Sequence, residues 1–289
     1  MGKSGPTMSS PSAPSTGSAA SESWPWPWPP AMRASAAVHV AALGAGVLVP
    51  GAWPWALGAV VLNHALITGA GLTPRSNLLG PNVTRLPEAA AARREVAITI
   101  DDGPEPEVTP RVLDLLDAHG QRATFFCIAE RVLAHPELAR EIVARGHSIQ
   151  NHTARHRHNF SFLGPRGFAA EIARAQDILT DVTGQRPTCF RAPAGLRNPF
   201  LEPVLHRLGL SLVSWTRRGF DTREGDAAKV MARLARHLQA RDILLLHDGN
   251  AARTAAGQPV LLEVLPLLLQ RLRTDGLRAV TLPEGLKTA

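Results

Sequence analysis

Cysteine is nearly missing: Cys127 and Cys189 are the only two in 289 residues. No Cys-x-x-Cys pair and no Cys/His finger spacing occurs, which excludes a zinc finger or ribbon. Both cysteines sit in apolar, strand-like runs and read as buried thiols, which leaves the redox compartment open. Aromatic residues are also scarce, at 5%. The net charge of +7 comes mostly from arginine, scattered along predicted helix faces without interleaved aromatics. That excludes a nucleic-acid stripe and leaves a solvated basic surface that suits anionic lipid or cell-wall polymer.

Charge vanishes altogether from Ala34 to Pro74, where no Asp, Glu, Lys or Arg occurs. A bilayer crossing takes about 20 apolar residues, so this window holds two. Pro50-Gly51-Ala52-Trp53-Pro54-Trp55 breaks it near the middle, where a tight turn falls. Trp24, Trp26 and Trp28 precede the first segment and Trp53 and Trp55 follow it, as interfacial aromatic belts would. The expectation is a disordered tail over 1–33, a hydrophobic hairpin over 34–73, a linker over 74–94 and a main domain over 95–289. Membrane lipid is then a partner, and the bacterial inner membrane the location. A signal anchor or an interfacial helix is the alternative. No small-x-small cleavage site follows the apolar run. His39 and His64 read as helix-packing residues. Basic residues flank both ends: Lys3 and Arg33 before, Arg75, Arg85, Arg93 and Arg94 after. A hairpin would keep the main domain in the cytoplasm and a single crossing would put it outside.

What is abundant is apolar: hydrophobic residues are 45% of the chain. After Val96 short apolar runs alternate with amphipathic stretches. Val96–Ile100, Ala123–Cys127, His147–Asn151, Thr188–Arg191, Leu210–Ser214, Ile243–Leu246 and Leu277–Thr281 read as buried strands. Helices open at Thr109-Pro110 and His135-Pro136, a third carries Val230, Leu234 and Leu238, and a Leu-rich fourth runs from Pro259 to Gly276. The alternation predicts parallel strands with crossover helices, as a distorted barrel of about seven β/α units or an open doubly wound sheet. Either architecture puts chemistry at the carboxyl ends of the strands.

Five segments fall there. Asp101-Asp102-Gly103-Pro104 leaves the first strand with two adjacent carboxylates, which are costly together unless a cation or proton takes one. His152 and His156 are spaced to share a face if the piece is one helical turn, as zinc-binding helices do, and His147 and His158 thicken the cluster. With Asp102 they make a two-His, one-carboxylate set with open positions. Arg191 ends a strand and can pin a carboxylate by bidentate hydrogen bonds, and Pro193-Ala194-Gly195 turns behind it. Trp215 to Asp221 offers an apolar wall and another carboxylate. His247-Asp248 ends a buried Leu strand.

In this order the five segments resemble the polysaccharide deacetylase family, carbohydrate esterase family 4, with its NodB homology domain. The resemblance covers about Val96 to Leu282, and membrane-tethered bacterial members look similar through the Pro74–Asn82 linker as well. It implies a distorted β/α barrel, an acetylated glycan as substrate and one divalent metal ion, most simply zinc. By the resemblance, Asp101 is the general base and Arg191 orients it. Asp102, His152 and His156 are metal ligands. His247 is the general acid, tuned by Asp221, and Pro193, Ala194, Gly195 and Trp215 bind substrate. Two departures matter: Ala194 stands where the family commonly has Tyr, and Asp221-Thr222 replaces its usual Asp-Trp. Other hydrolases of linear or cyclic amides, or an inactive sugar-binding module, are the competing readings.

Overall fold

The apolar runs after residue 95 assemble side by side because each is too hydrophobic to leave either face in water. The structure, a computed structural model describing Met1 and residues 26–288, contains one eight-stranded parallel sheet. Its strands are β1 (Glu95–Asp101), β2 (Ala123–Cys127), β3 (Ser148–Asn151), β4 (Cys189–Phe190), β5 (Ser211–Leu212), β6 (Arg217–Arg218), β7 (Ile243–His247) and β8 (Arg278–Ala279). The order is β5-β4-β3-β2-β1-β7-β6, with β8 also on β1. Every residue of β1, β2 and β7 is buried, as expected of a parallel sheet covered on both faces.

The sheet curls into a partial barrel without closing: among the described residues β5 and β6 do not pair. Both are two residues long and offer few ladder bonds. Beside β5 the edge is taken by Val83, whose N–H donates to Leu212 O at 2.9 Å and whose carbonyl accepts from Ser214 N. Leu79, Leu86 and Ala90 are buried as well. The segment before β1 is therefore packed on the sheet. All seven expected strands occur, several shortened to two residues. The sixth, β6, is added; two arginines carry no apolar signal.

Helices fill the crossovers: α3 (Ala89–Ala92), α4 (Thr109–Ala118), α5 (Ala129–Ala134), α6 (Pro136–Ala144), α7 (Pro165–Thr183), α8 (Leu201–Leu208), α9 (Ala227–Ala235), α10 (Leu261–Thr274) and α11 (Leu282–Gly285), after α1 and α2 described below. The expected third helix ends before Leu238, which lies beyond α9. The 19-residue α7 was not expected, although Phe168, Ile172, Ala175 and Leu179 repeat on its buried face at helical spacing. On α10, Leu261, Leu265, Leu268 and Leu272 are fully buried, each contributing roughly 1.5–3 kcal/mol over an exposed position.

The uncharged stretch forms two antiparallel helices, α1 (Pro30–Leu48) and α2 (Trp53–Gly71), turning at Pro50-Gly51. Each is 19 residues, about 28 Å long at 1.5 Å per residue. Among the described helices, α1 alone is long and apolar enough to cross a membrane, with mean hydropathy 1.4. Val40, Leu43, Val47, Trp55, Val61 and Leu66 all stand exposed. Where the helices meet, Asn63 Nδ2 donates to Ser35 Oγ at 2.9 Å, and the rings of His39 and His64 meet edge to face. Lys3, Trp24 and the tail over 2–25 lie outside the described residues. The hairpin is seated on the domain at Gly71, whose carbonyl accepts from Arg197 N at 3.1 Å. A Cβ at Gly71 would come within 2.2 Å of Arg197 O, so only glycine allows this approach.

Candidate active site

Parallel register brings the five segments to one end of the sheet. Asp101 and His247 are direct partners on β1 and β7; His152 follows β3, Arg191 follows β4, and Asp221 follows β6. Successive strand residues normally point to opposite faces. Asp102 escapes this because its backbone is left-handed, φ 76°, immediately after β1. Both carboxylates then reach His152 Nε2, at 3.9 Å from Asp101 Oδ2 and 3.3 Å from Asp102 Oδ1. Gly103 follows of necessity, since a Cβ there would meet the Asp248 carboxylate at 2.4 Å.

The His152–His156 segment is not the helical turn that the spacing suggested. It is a loop with left-handed backbone at Thr153 (φ 71°) and His156 (φ 49°), braced by Asn151 Oδ1 accepting from Thr153 N and Thr153 Oγ1 accepting from His156 N. The loop still brings the pair together: His156 Nε2 lies 3.4 Å from Asp102 Oδ1, and the two rings are 4.9 Å apart. His152 Nδ1 faces Arg191 O at 2.8 Å, which turns Nε2 toward Asp102. His147 does not join the cluster. It immediately precedes β3, at the opposite end of the sheet, and accepts from Ala123 N.

Three electron-pair donors thus converge within 4.8 Å, and Asp102 Oδ1 is buried without a hydrogen-bond partner. Burial pushes the Asp102 carboxyl up, but His152, His247 and His156 more than offset it and leave it well below the ordinary range. Burial, and then neighbouring His152, pushes His156 down to about 4, so its lone pair is free at neutral pH. For His152, burial is outweighed by Asp101 and Asp102, and its pKa rises. Such a crowd of donors fits a divalent cation with open positions.

Arg191 is fully buried and meets Asp101 Oδ1 at 2.6 Å through Nη1 alone. The bidentate fork expected of it is absent because its other bonds go elsewhere: Nη1 also donates to Thr99 Oγ1, Nε to Val213 O and Nη2 to Ser214 O. The guanidinium lies 4.1 Å over the Phe126 ring. Asp101 therefore faces a cation that cannot swing away. On the far side, His247 Nδ1 is 3.0 Å from Asp221 Oδ1, and Asp221 Oδ2 accepts from His247 N at 2.7 Å. Burial pulls the His247 pKa down, but Asp221, Asp101 and Asp102 together lift it above its ordinary value.

A cleft of about 330 Å³ joins these groups, lined by Asp101, Asp102, His152, His156 and His247 with Ala194, Gly195 and Trp215 on its wall. Pro193 is buried and outside that lining, and Asp221 lies behind His247. Ala194 holds a left-handed backbone, φ 54°.

Comparison with known proteins gives the same family as the sequence resemblance. A model of the polysaccharide deacetylase family matches residues 88–213. A peptidoglycan-N-acetylglucosamine deacetylase of Bacillus cereus is 31% identical over 199 residues, covering 66% of this chain and 88% of that protein. The chain belongs to the polysaccharide deacetylase family. A chitooligosaccharide deacetylase from a Bradyrhizobium species is also 31% identical, over 66% of this chain and 90% of its own length. The solved structure of the Bc1960 peptidoglycan N-acetylglucosamine deacetylase superposes with TM-score 0.64 at 26% identity, covering 72% of this chain and 94% of that one.

Within this member of the polysaccharide deacetylases, sequence reading missed several residues. Asn250 Nδ2 donates to Asp102 Oδ2 at 2.8 Å, leaving Oδ1 to face the histidines. Its signal was its place three residues after His247. Arg131 Nη1 donates to Asp102 O at 2.7 Å, from a helix surface with no local cue. Arg218 and Arg223 also line the cleft, beside His158, which the sequence had already set with the histidine pair. Cys127 and Cys189 are buried and free, and burial raises both thiols, Cys189 to about 11.

Proposed function

We propose that this chain hydrolyses the acetamido group of N-acetylated sugars in a peptidoglycan- or chitin-like saccharide, using one divalent cation, and that its hairpin holds it on a bacterial inner membrane. One observation carries the reading. An arginine-locked carboxylate, a His-His-Asp donor set and a carboxylate-backed histidine meet in a single cleft at the strand ends. The relatives are named for peptidoglycan N-acetylglucosamine and chitooligosaccharide deacetylation.

Asp102, His152 and His156 would hold the cation, and two imidazoles with one carboxylate suit zinc. Such an ion supplies Lewis acidity toward the acetyl carbonyl and acidifies water. Asp101, aimed by Arg191, accepts the proton of a water whose oxygen attacks the carbonyl carbon. The Ala194 backbone N–H at the cleft wall is the proposed donor to the developing oxyanion. His247, its proton retained through Asp221, protonates the departing nitrogen as the C–N bond breaks. The products are acetate and a free amino sugar. Trp215, Gly195 and Ala194 give the sugar an apolar wall, and Pro193 supports that turn from behind.

The test is acetate release from chitooligosaccharides and peptidoglycan fragments, with and without a chelator. Chelator-sensitive acetate that disappears in Asp101→Asn supports the reading. A folded, metal-loaded protein that releases none from any acetylated sugar overturns it.

A further inference from the structure

Trp215 is a wall shared by two cavities. It lines the catalytic cleft and also a groove of about 960 Å³ lined by Leu66, Gly69, Arg75 and Arg85. The groove thus begins on the apolar hairpin and ends at the active site. Pro74 joins them physically. A Cβ at Gly195 would meet Pro74 Cβ at 2.6 Å, and Pro74 O accepts from Ser214 Oγ at 2.6 Å. Pro74 comes three positions after Gly71, the last of α2, which is at most about 11 Å of extended chain. The rim of the cleft is therefore fixed beside the end of the apolar hairpin.

The walls between these cavities are cationic. Arg218 lines the cleft, stacked 5.4 Å over Trp215 and 4.9 Å over Phe220, and its Nε is buried with no hydrogen-bond partner. On the groove side, Arg75 makes one bond, to Thr216 O at 3.3 Å. Among the described residues neither arginine has a carboxylate within ion-pair distance. Arg85 is different, being paired with Asp242 at 3.0 Å. The acids lining the cleft are Asp101 and Asp102, and the mechanism uses both. Two uncommitted guanidiniums thus flank Trp215, between a sugar-sized cleft and a groove with the apolar end of the hairpin, Leu66 to Ala70, on one side and polar Ser76, Asn77 and Thr84 on the other. Guanidinium favours phosphate through its planar fork.

We propose that the substrate is an N-acetylated sugar joined through phosphate to a lipid and taken from the bilayer surface. The sugar enters the cleft, the phosphate crosses Trp215 between Arg218 and Arg75, and the lipid chain lies in the groove along Leu66 and Gly69. This rests on the deacetylase reading and names the substrate class of that site.

The test uses the full chain in lipid nanodiscs with three substrates: N-acetylglucosamine phosphoryl-prenol in the disc, N-acetylglucosamine 1-phosphate in solution, and neutral chitotetraose. The expected order of kcat/KM is lipid-linked above sugar phosphate, with the lipid-linked substrate at least about tenfold above chitotetraose, the scale of one charged hydrogen bond. Arg75→Gln and Arg218→Gln should each lower that ratio about tenfold, through KM, while Arg75→Lys restores part of it. Thermal melts report folding of each variant, and exposed Arg75 serves if Arg218→Gln is unstable. Equal kcat/KM for lipid-linked and neutral substrates overturns the proposal. So does a sugar phosphate that matches the lipid-linked form, or a preference that both glutamine variants leave intact. Acetate from chitotetraose alone overturns it while the deacetylase reading stands; acetate from none of the three overturns both.

Discussion

The hairpin and the catalytic domain invert each other's burial. In the hairpin Val40, Leu43, Val47 and Trp55 are exposed, while the polar side chain of Ser35 is buried between the helices. In the domain it is Asp101, Asp102, His152, Arg191 and Asp221 that are buried, at 5% exposure or less. The lesson concerns partners. A buried charge survives only when paired and hydrogen-bonded, and Arg191 meets that condition with four acceptors. Exposed apolar surface of the hairpin's extent is costly in water and marks an interaction surface, for lipid or for another protein.

The sharpest way to break this comparison is to remove one buried group and see whether chemistry fails while the hairpin is untouched. Asp101→Asn and His247→Ala should each lower turnover at least about a hundredfold, the usual range for general acid-base groups. Acetate assays on protein still recovered in the membrane fraction read this directly, and near-normal turnover would remove the assigned role. The reciprocal experiment charges the hairpin. Leu43→Arg at mid-helix should oppose insertion by about 2.5–3.5 kcal/mol, shifting protein out of the membrane fraction while kcat on a soluble chitooligosaccharide stays the same. Unchanged partition would show that α1 does not enter lipid.

A smaller effect tests burial of a polar group away from the chemistry. Burial, and then Arg122, pushes His147 down to about 4 from its ordinary 6.5. The unfolded chain therefore binds a proton that the folded one refuses. The stability this residue permits is complete above pH 6.5 and falls as the pH drops toward 4, by about 2 kcal/mol between roughly pH 7 and 5. Urea unfolding at those pH values should show the slope, and His147→Gln should flatten it. The mildest expected change is in Asp221→Asn. Without the carboxylate that lifts His247, its proton is lost at lower pH, so the alkaline limb of the rate profile moves to lower pH. The cost above neutrality is about tenfold, and an unmoved limb would separate Asp221 from the proton transfer.

Much of this was legible in the residues. The run without charge between Ala34 and Pro74 contains its own turn at Pro50-Gly51, so two helices follow from composition alone. The apolar runs at Ala123–Cys127 and Ile243–His247 are strands because nothing but a covered sheet buries them on both faces. The order of the Asp-Asp, His-x-x-x-His, Arg-x-Pro and His-Asp segments sufficed to name the family. Periodicity failed at β6, whose Arg217 is held by Asp242 across the sheet, and at the His152 loop, where backbone hydrogen bonds to the Asn151 and Thr153 side chains override the helical spacing.

Sequence by itself singled out the carboxylates and histidines that gather in the cleft and the strand ends they follow. Only the tertiary structure decided how they meet. Arg191 finds Asp101 across 90 residues and Asn250 finds Asp102 across 148, distances over which local pattern carries no information. Parallel register set His247 beside Asp101, and left-handed backbone at Asp102 and His156 aimed those two side chains. The same packing placed Pro74 against Gly195 and so put the cleft beside the hairpin, because a contact between a linker and a loop is written in shape rather than in any motif.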